Sequence, residues 1–185
     1  MDGYINVFKP KGMTSHDVVR NIKKILNVKK VGHTGTLDPN ASGVLPICIG
    51  KATRTSEYLL NCDKSYIGEL TLGVQTDTQD IDGNVINYSK RIVGEEDIKS
   101  AFNQYKGEIY QLPPMYSALK YKGKKLYELA RSGIEVERKS RKVYIYDINI
   151  LSIIDNKKAL FSVKCSRGTY IRTLCNDIGE SLGTY

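Results

Sequence analysis

Ala159, Phe161, Val163 and Cys165 are separated by single residues, and that period of two describes a strand with one face buried. The same alternation runs through Ser65–Leu72, with Tyr66, Gly68, Leu70 and Leu72 on one face, and through Tyr144, Tyr146, Ile148 and Ile150. Elsewhere the spacing is helical. Ser15 is read as an N-cap for a helix carrying Val18, Val19, Ile22, Ile25 and Leu26, with Arg20, Lys23 and Lys24 on its other face. A second helix carries Ile98, Ala101, Phe102 and Tyr105 and is closed by Gly107; a last one carries Ile171, Leu174, Ile178 and Leu182. Strands that follow one another without regular strand-helix-strand alternation predict an α+β fold, a mostly antiparallel mixed sheet flanked by helices. Gly43–Ile49 reads as a further buried strand, and QTDTQDIDG as a long hairpin loop leading to Val85 and Ile86. Pro113 and Pro114 favour extended chain before a short helix at Leu126, Leu129 and Ala130, ended by Gly133. No repeat or linker interrupts the 185 residues, so a single domain over 1–185 is expected.

Composition narrows the function classes. No apolar run reaches the roughly 18 residues of a spanning helix, and MDGYINVFKPKG has no apolar signal core, so a soluble, cytoplasmic protein is expected. Cys48, Cys62, Cys165 and Cys175 are too scattered for a disulfide frame or a zinc site. The net charge of +8 favours a polyanionic partner. Its clustering is more informative: Lys120, Lys122, Lys124 and Lys125, then Arg138, Lys139, Arg141 and Lys142, are interleaved with Tyr116, Tyr121 and Tyr127. Cations beside aromatic faces suit phosphates and unstacked bases together, which points to nucleic acid rather than a membrane surface.

Three familiar chemistries fail on spacing. The glycine preceding Gly50-Lys51 is Gly43, two residues too far for a phosphate loop, and Ala52 stands where a hydroxyl is required. Asp77, Asp80, Asp82 and Gly83 imitate a calcium loop, but its twelfth position is Ser89 rather than Glu, so a turn is the better reading. His16 and His33 are the only histidines, and no glycine-flanked serine accompanies them. There remains VGHTGTLDPNASGVLPICIG, in which Asp38 sits among Gly, Thr and Pro just ahead of an apolar strand. Asp-Pro-Asn is also ordinary turn chemistry, and composition alone does not choose between the two.

Five collinear blocks decide the matter: KPKGMTSHDVV (9–19), GHTGTLDPNASGVLPICIGKATR (32–54), KSYIGELTLGVQTDTQDIDG (64–83), QLPPMYSALKYKGKKLYELAR (111–131) and VKCSRGTYIRTLCNDIG (163–179). Together they resemble the bacterial TruB family, tRNA pseudouridine synthases acting on uridine 55 of the T loop. The resemblance implies the pseudouridine synthase catalytic fold, a reaction without cofactor or metal, the T arm of tRNA as partner, and a monomer. It also implies that the family continues beyond the equivalent of Tyr185, with more of its sheet and a PUA domain, so a chain incomplete at its C-terminus is expected. A non-catalytic RNA-binding or tRNA-folding module is the alternative.

Residue by residue, the resemblance makes Asp38 the nucleophile of the GTLDP motif. It makes Arg172, otherwise a surface helix arginine, its charge partner. Isomerisation must break N1–C1′, turn the uracil and rejoin through C5, and a carboxylate that holds the intermediate is one solution. Whether it attacks C6 or C1′ stays open. Tyr66, otherwise a core tyrosine, lies against the base by stacking or proton transfer. His33 helps fill the space left by the flipped nucleotide, since a stacked base cannot be presented to an enclosed carboxylate. Lys9, with Pro10, supports the floor of the site and is counted with His33, Lys120, Lys122, Lys124 and Arg141 among the RNA-binding residues.

Overall fold

Thr14, rather than Ser15, caps the first helix. Its hydroxyl accepts from the Asp17 N–H at 3.1 Å while the Asp17 carboxylate accepts from the Thr14 N–H at 2.9 Å, a reciprocal pair worth about 1 kcal/mol. The computed structural model describes residues 1–185 and shows two compact units, Met1–Cys62 and Asp63–Tyr185.

In the first unit, strands β1 (Gly3–Lys9), β2 (Val31–His33) and β3 (Gly43–Ile49) form an antiparallel sheet in the order β1-β3-β2. Helix α1 (Ser15–Ile25) packs Val18, Val19, Ile22 and Leu26 against Leu45, Ile47 and Ile49. Ile25 departs from the expected stripe and is 73% exposed. A 3-10 helix (Gly50–Thr55) and α2 (Ser56–Leu60) complete the unit.

The second unit is built on a four-stranded antiparallel sheet, β4-β11-β10-β7, from β4 (Lys64–Thr71), β7 (Gly107–Gln111), β10 (Arg141–Ile154) and β11 (Lys158–Cys165). Helices α3 (Glu95–Gln104) and α5 (Ile171–Ser181) supply Ile98, Phe102, Leu174 and Ile178 to one core with Leu70, Ile145, Phe161 and Val163. Phe102 and Phe161 meet edge to face, centroids 5.1 Å apart. Two ribbons lie outside this sheet. One pairs β5 (Val74–Thr76) with β6 (Val85–Tyr88); the other pairs β8 (Lys120–Tyr121) with β9 (Lys124–Lys125), just before the short α4 (Leu126–Arg131).

The fold is α+β as expected, and every strand pairing is antiparallel. Three local expectations are corrected. The strand at 64–71 does not run into the QTDTQDIDG hairpin; it pairs with β11, and that loop joins β5 to β6. Gly107 opens strand β7 rather than closing α3. In β10 the buried residues include Val143, Ile145 and Ile148, because register shifts between Ile145 and Asp147, while Tyr144 and Tyr146 face outward as a ring pair 5.0 Å apart.

Asp177 on α5 has its carboxyl pushed up to about 6, chiefly by burial and further by Glu180. The folded state therefore holds this proton more tightly than the unfolded chain does. Its contribution turns against folding as pH rises from about 4 to about 6. Asp177→Asn should raise stability at pH 7.5 by roughly 1 kcal/mol after solvent screening, about 3 °C in Tm, with a smaller gain at pH 4.5. Thermal melts at the two pH values check this.

Candidate active site

Asp38 begins a tight turn in which the Ala41 N–H donates to its carbonyl at 3.0 Å. Pro39 supplies the fixed φ of the second position, and Asn40 has no positive φ, so the turn is type I in character. Both neighbours of Asp38 are fixed. Leu37 donates its N–H to the Ser15 hydroxyl at 2.9 Å, and that hydroxyl donates back to the Leu37 carbonyl at 3.3 Å. The Pro39 carbonyl accepts from the Gly12 N–H at 2.9 Å and from Lys9 Nζ at 3.2 Å. A loop gripped on each side of one half-buried carboxylate is prepared before any ligand arrives, which is what positioning a reactive group requires.

Lys9 is 0% exposed. Its ammonium donates to the carbonyls of Met13 at 2.7 Å, Pro10 at 3.0 Å and Pro39. Burial lowers its pKa, and the Asp38 charge works in the opposite direction. A sealed amine with three carbonyl acceptors cannot reach a phosphate, so Lys9 is removed from the RNA-binding set. It braces the Asp38 loop instead. His33, on β2 opposite Ile47, is half-buried, and burial lowers its pKa, which keeps the ring neutral near pH 7.

In the second unit, Tyr66 is half-buried on β4, opposite Val163 and packed against the core. Arg172 lies in the first turn of α5 with its side chain 11% exposed. Nη1 donates to Asp80 Oδ2 at 3.3 Å, Nη2 to the Tyr116 carbonyl at 2.7 Å, and the guanidinium lies 5.9 Å from the centre of the Tyr170 ring. The entry to α5 is itself fastened. Gln111, 1% exposed, accepts from the Tyr170 N–H at 3.0 Å and donates to the Tyr170 carbonyl at 3.2 Å.

Asp80 is the residue that sequence reasoning set aside as part of a turn. It is in a turn, and it also holds the guanidinium. Its other oxygen, Oδ1, accepts from the Thr78 hydroxyl at 2.6 Å and the Asp82 N–H at 3.1 Å. Nothing in a single sequence reveals a pairing across 92 positions.

Lys120, Lys122 and Lys124 are exposed on the β8–β9 ribbon. Its two-residue turn has φ of +47° at Lys122 and +88° at Gly123, the primed geometry that suits hairpin twist. On either side of the ribbon in sequence, Met115 before it and Leu126 and Leu129 after it form a small core of their own. Lys125 and Arg131 flank the Tyr127 ring at 5.3 and 5.5 Å. Arg141 is exposed where β10 begins. In the first unit Lys23 and Lys24 are exposed on the outer face of α1 as expected, and Lys29, Lys30, Lys51 and Arg54 are exposed as well; the Gly50 N–H donates to the Lys30 carbonyl at 2.8 Å, joining two of their segments. No group of three or more His, Cys, Asp or Glu side chains converges as a metal site would require, and no helix is long and apolar enough to cross a membrane.

Comparison with known proteins places this arrangement. The sequence model described as TruB family pseudouridylate synthase (N terminal domain) matches residues 23–171. The tRNA pseudouridine synthase B of Alkaliphilus oremlandii is 58% identical over 183 residues, covering 99% of this chain and 61% of the relative. That of Clostridioides difficile is 59% identical over 186 residues, covering 99% and 62%. The chain thus spans a little over three fifths of the length of these relatives. Among solved structures, a chain of a Cbf5–Nop10–Gar1 complex superposes with a TM-score of 0.75 at 39% identity, over 98% of this chain and 45% of that one. A chain of an H/ACA RNP bound to a substrate RNA containing 2′-deoxyuridine gives 0.71 at 35%, over 98% and 43%. The family match takes in the Asp38 loop and Tyr66 and ends one residue before Arg172, and on it the chain belongs to the TruB family of pseudouridylate synthases.

Proposed function

We propose that the protein isomerises uridine 55 in the T loop of tRNA to pseudouridine, with Asp38 as nucleophile, Arg172 as its charge partner and Tyr66 against the base. The observation that carries this reading is the Asp38 loop, held by Ser15 on one side and by Lys9 and Gly12 on the other. A carboxylate so placed adds to C6 of the base or C1′ of the ribose, the N1–C1′ bond breaks, the uracil turns, C5 bonds to C1′, the bond to the carboxylate breaks to free Asp38, and the C5 proton leaves to solvent while N1 gains one. The uridine must first leave the T-loop stack, at a cost of a few kcal/mol. A half-buried, neutral His33 is suited to occupying the vacated space by ring contact rather than by charge.

The decisive experiment uses unmodified tRNA tritiated at uridine C5. Release of tritium to water supports the isomerase; binding without release supports a non-catalytic RNA-binding or tRNA-folding module. Tyr66→Phe then separates two roles of one ring. Since Tyr66 packs against the core through its ring, the variant should fold normally and keep stacking; activity within about threefold of wild type leaves stacking as its role, and a loss of about 10²-fold assigns the hydroxyl to proton transfer.

Lys120, Lys122, Lys124 and Arg141 act through phosphates in this reading. Tight tRNA binding should weaken steeply with salt, and replacing the three lysines by Ala should flatten the log–log slope by about two to three, as measured by filter binding between 50 and 200 mM salt. An unchanged slope would remove the ribbon from the interface.

A further inference from the structure

Two consecutive residues of α5 take hold of two consecutive residues of the β5–β6 loop. Arg172 donates to Asp80, and the Thr173 hydroxyl donates to Gln79 Oε1 at 2.7 Å. Successive helix positions point about 100° apart, so the loop is gripped from two directions and both its distance and its rotation are defined. We propose that Thr173 and Gln79 are a positioning pair, which sets Asp80 against Arg172 and through it orients the guanidinium for the reaction; the proposal rests on the role given to Arg172 above.

Four features carry it. Thr173 is 1% exposed, and a buried hydroxyl is costly unless bonded, so its hydrogen bond to Gln79 is a strong local preference. Gln79 has φ +62°, a left-handed conformation that a side-chain-bearing residue keeps only when its surroundings hold it. Its N–H is fixed by the Thr76 carbonyl at 3.1 Å, and its side-chain oxygen by Thr173. Packing does not substitute for these bonds, because Gln79 borders a cavity of about 150 Å³ shared with Gln75, Thr76, Asp77 and Asn176.

The loop's own bonds, among them the Thr76 hydroxyl donating to the Asp80 carbonyl at 2.7 Å, orient Asp80, and Thr173 adds the tie to α5. Thr78 and Asp82 occupy Oδ1, leaving Oδ2 toward Arg172. The tip is tight enough that a Cβ on Gly83 would stand 2.3 Å from the Thr78 hydroxyl. The Asp80–Arg172 contact, at 3.3 Å, is already near the limit of a hydrogen bond, and a shift of the whole tip by about 1 Å breaks it.

The test measures single-turnover tritium release, tRNA affinity and amide exchange of residues 76–84 in the natural protein. Thr173→Val keeps the shape and removes the hydroxyl. It should slow release about tenfold with tRNA affinity unchanged, and Thr173→Ser should recover most of that rate. Gln79→Gly relieves the left-handed backbone but removes the acceptor, so it should behave as Thr173→Val does; wild-type behaviour would show that backbone conformation alone matters and overturn the proposal. In an Asp80→Asn background, Thr173→Val should cost nothing further; an independent, multiplying loss would mean that Thr173 does not act through Asp80. Exchange at 76–84 should quicken in Thr173→Val and Gln79→Gly but not in Thr173→Ser. Unchanged exchange overturns the pair whatever the rates. Should wild-type protein release no tritium, the isomerase reading falls, and exchange still decides whether the pair holds the loop.

Discussion

Asp38→Asn is expected to lower tritium release from labelled tRNA by about 10⁴-fold or more, as removal of a nucleophile does. Binding of tRNA should persist. The substitution keeps the side chain's size, and the loop is held by contacts from Ser15, Lys9, Gly12 and backbone groups that it leaves in place. Melting should fall only slightly, by the lost attraction between the Asp38 charge and the Lys9 ammonium. Release within tenfold of wild type would take Asp38 out of the chemistry and leave it a turn residue.

Arg172→Lys carries the second large effect, a loss of about 10²-fold in single-turnover rate with tRNA affinity nearly unchanged. The guanidinium uses two nitrogens in two directions, one to Asp80 and one to the Tyr116 carbonyl. A lysine ammonium is a single point on a shorter reach and serves one partner at the expense of the other. Lysine is the informative replacement. Arg172→Ala would leave the Asp80 carboxylate, 28% exposed, without its ion pair, and removing one partner of a partly buried pair costs stability of its own. A normal rate in Arg172→Lys would mean that charge alone suffices.

The amount of this that a single sequence discloses follows from how local each signal is. Val18, Val19, Ile22 and Leu26 lie within one helix and announce the buried face through spacing; β11 does so by alternation. The expected face of β10 failed because a bulge adds one residue and inverts every side chain beyond it, an event set by pairing with β11 rather than by the strand's own residues. Ile25 failed because it stands at the edge of the apolar stripe, and Leu26, one residue on, takes the packed position at that end of α1. In the candidate site, family motifs single out Asp38, Tyr66 and Arg172. The buried state of Lys9 and the grip of Asp80 on Arg172 were not, since both depend on loops brought together from 30 and 92 positions away.

The ribbon bearing Lys120, Lys122 and Lys124 is flanked in sequence by its own Met115–Leu126–Leu129 cluster, separate from the core of the four-stranded sheet. Cations at that tip can consequently be gained, lost or rearranged over evolutionary time without disturbing the core of the four-stranded sheet. Lineages are free to retune the positive charge of this tip while the sheet beneath α5 stays the same.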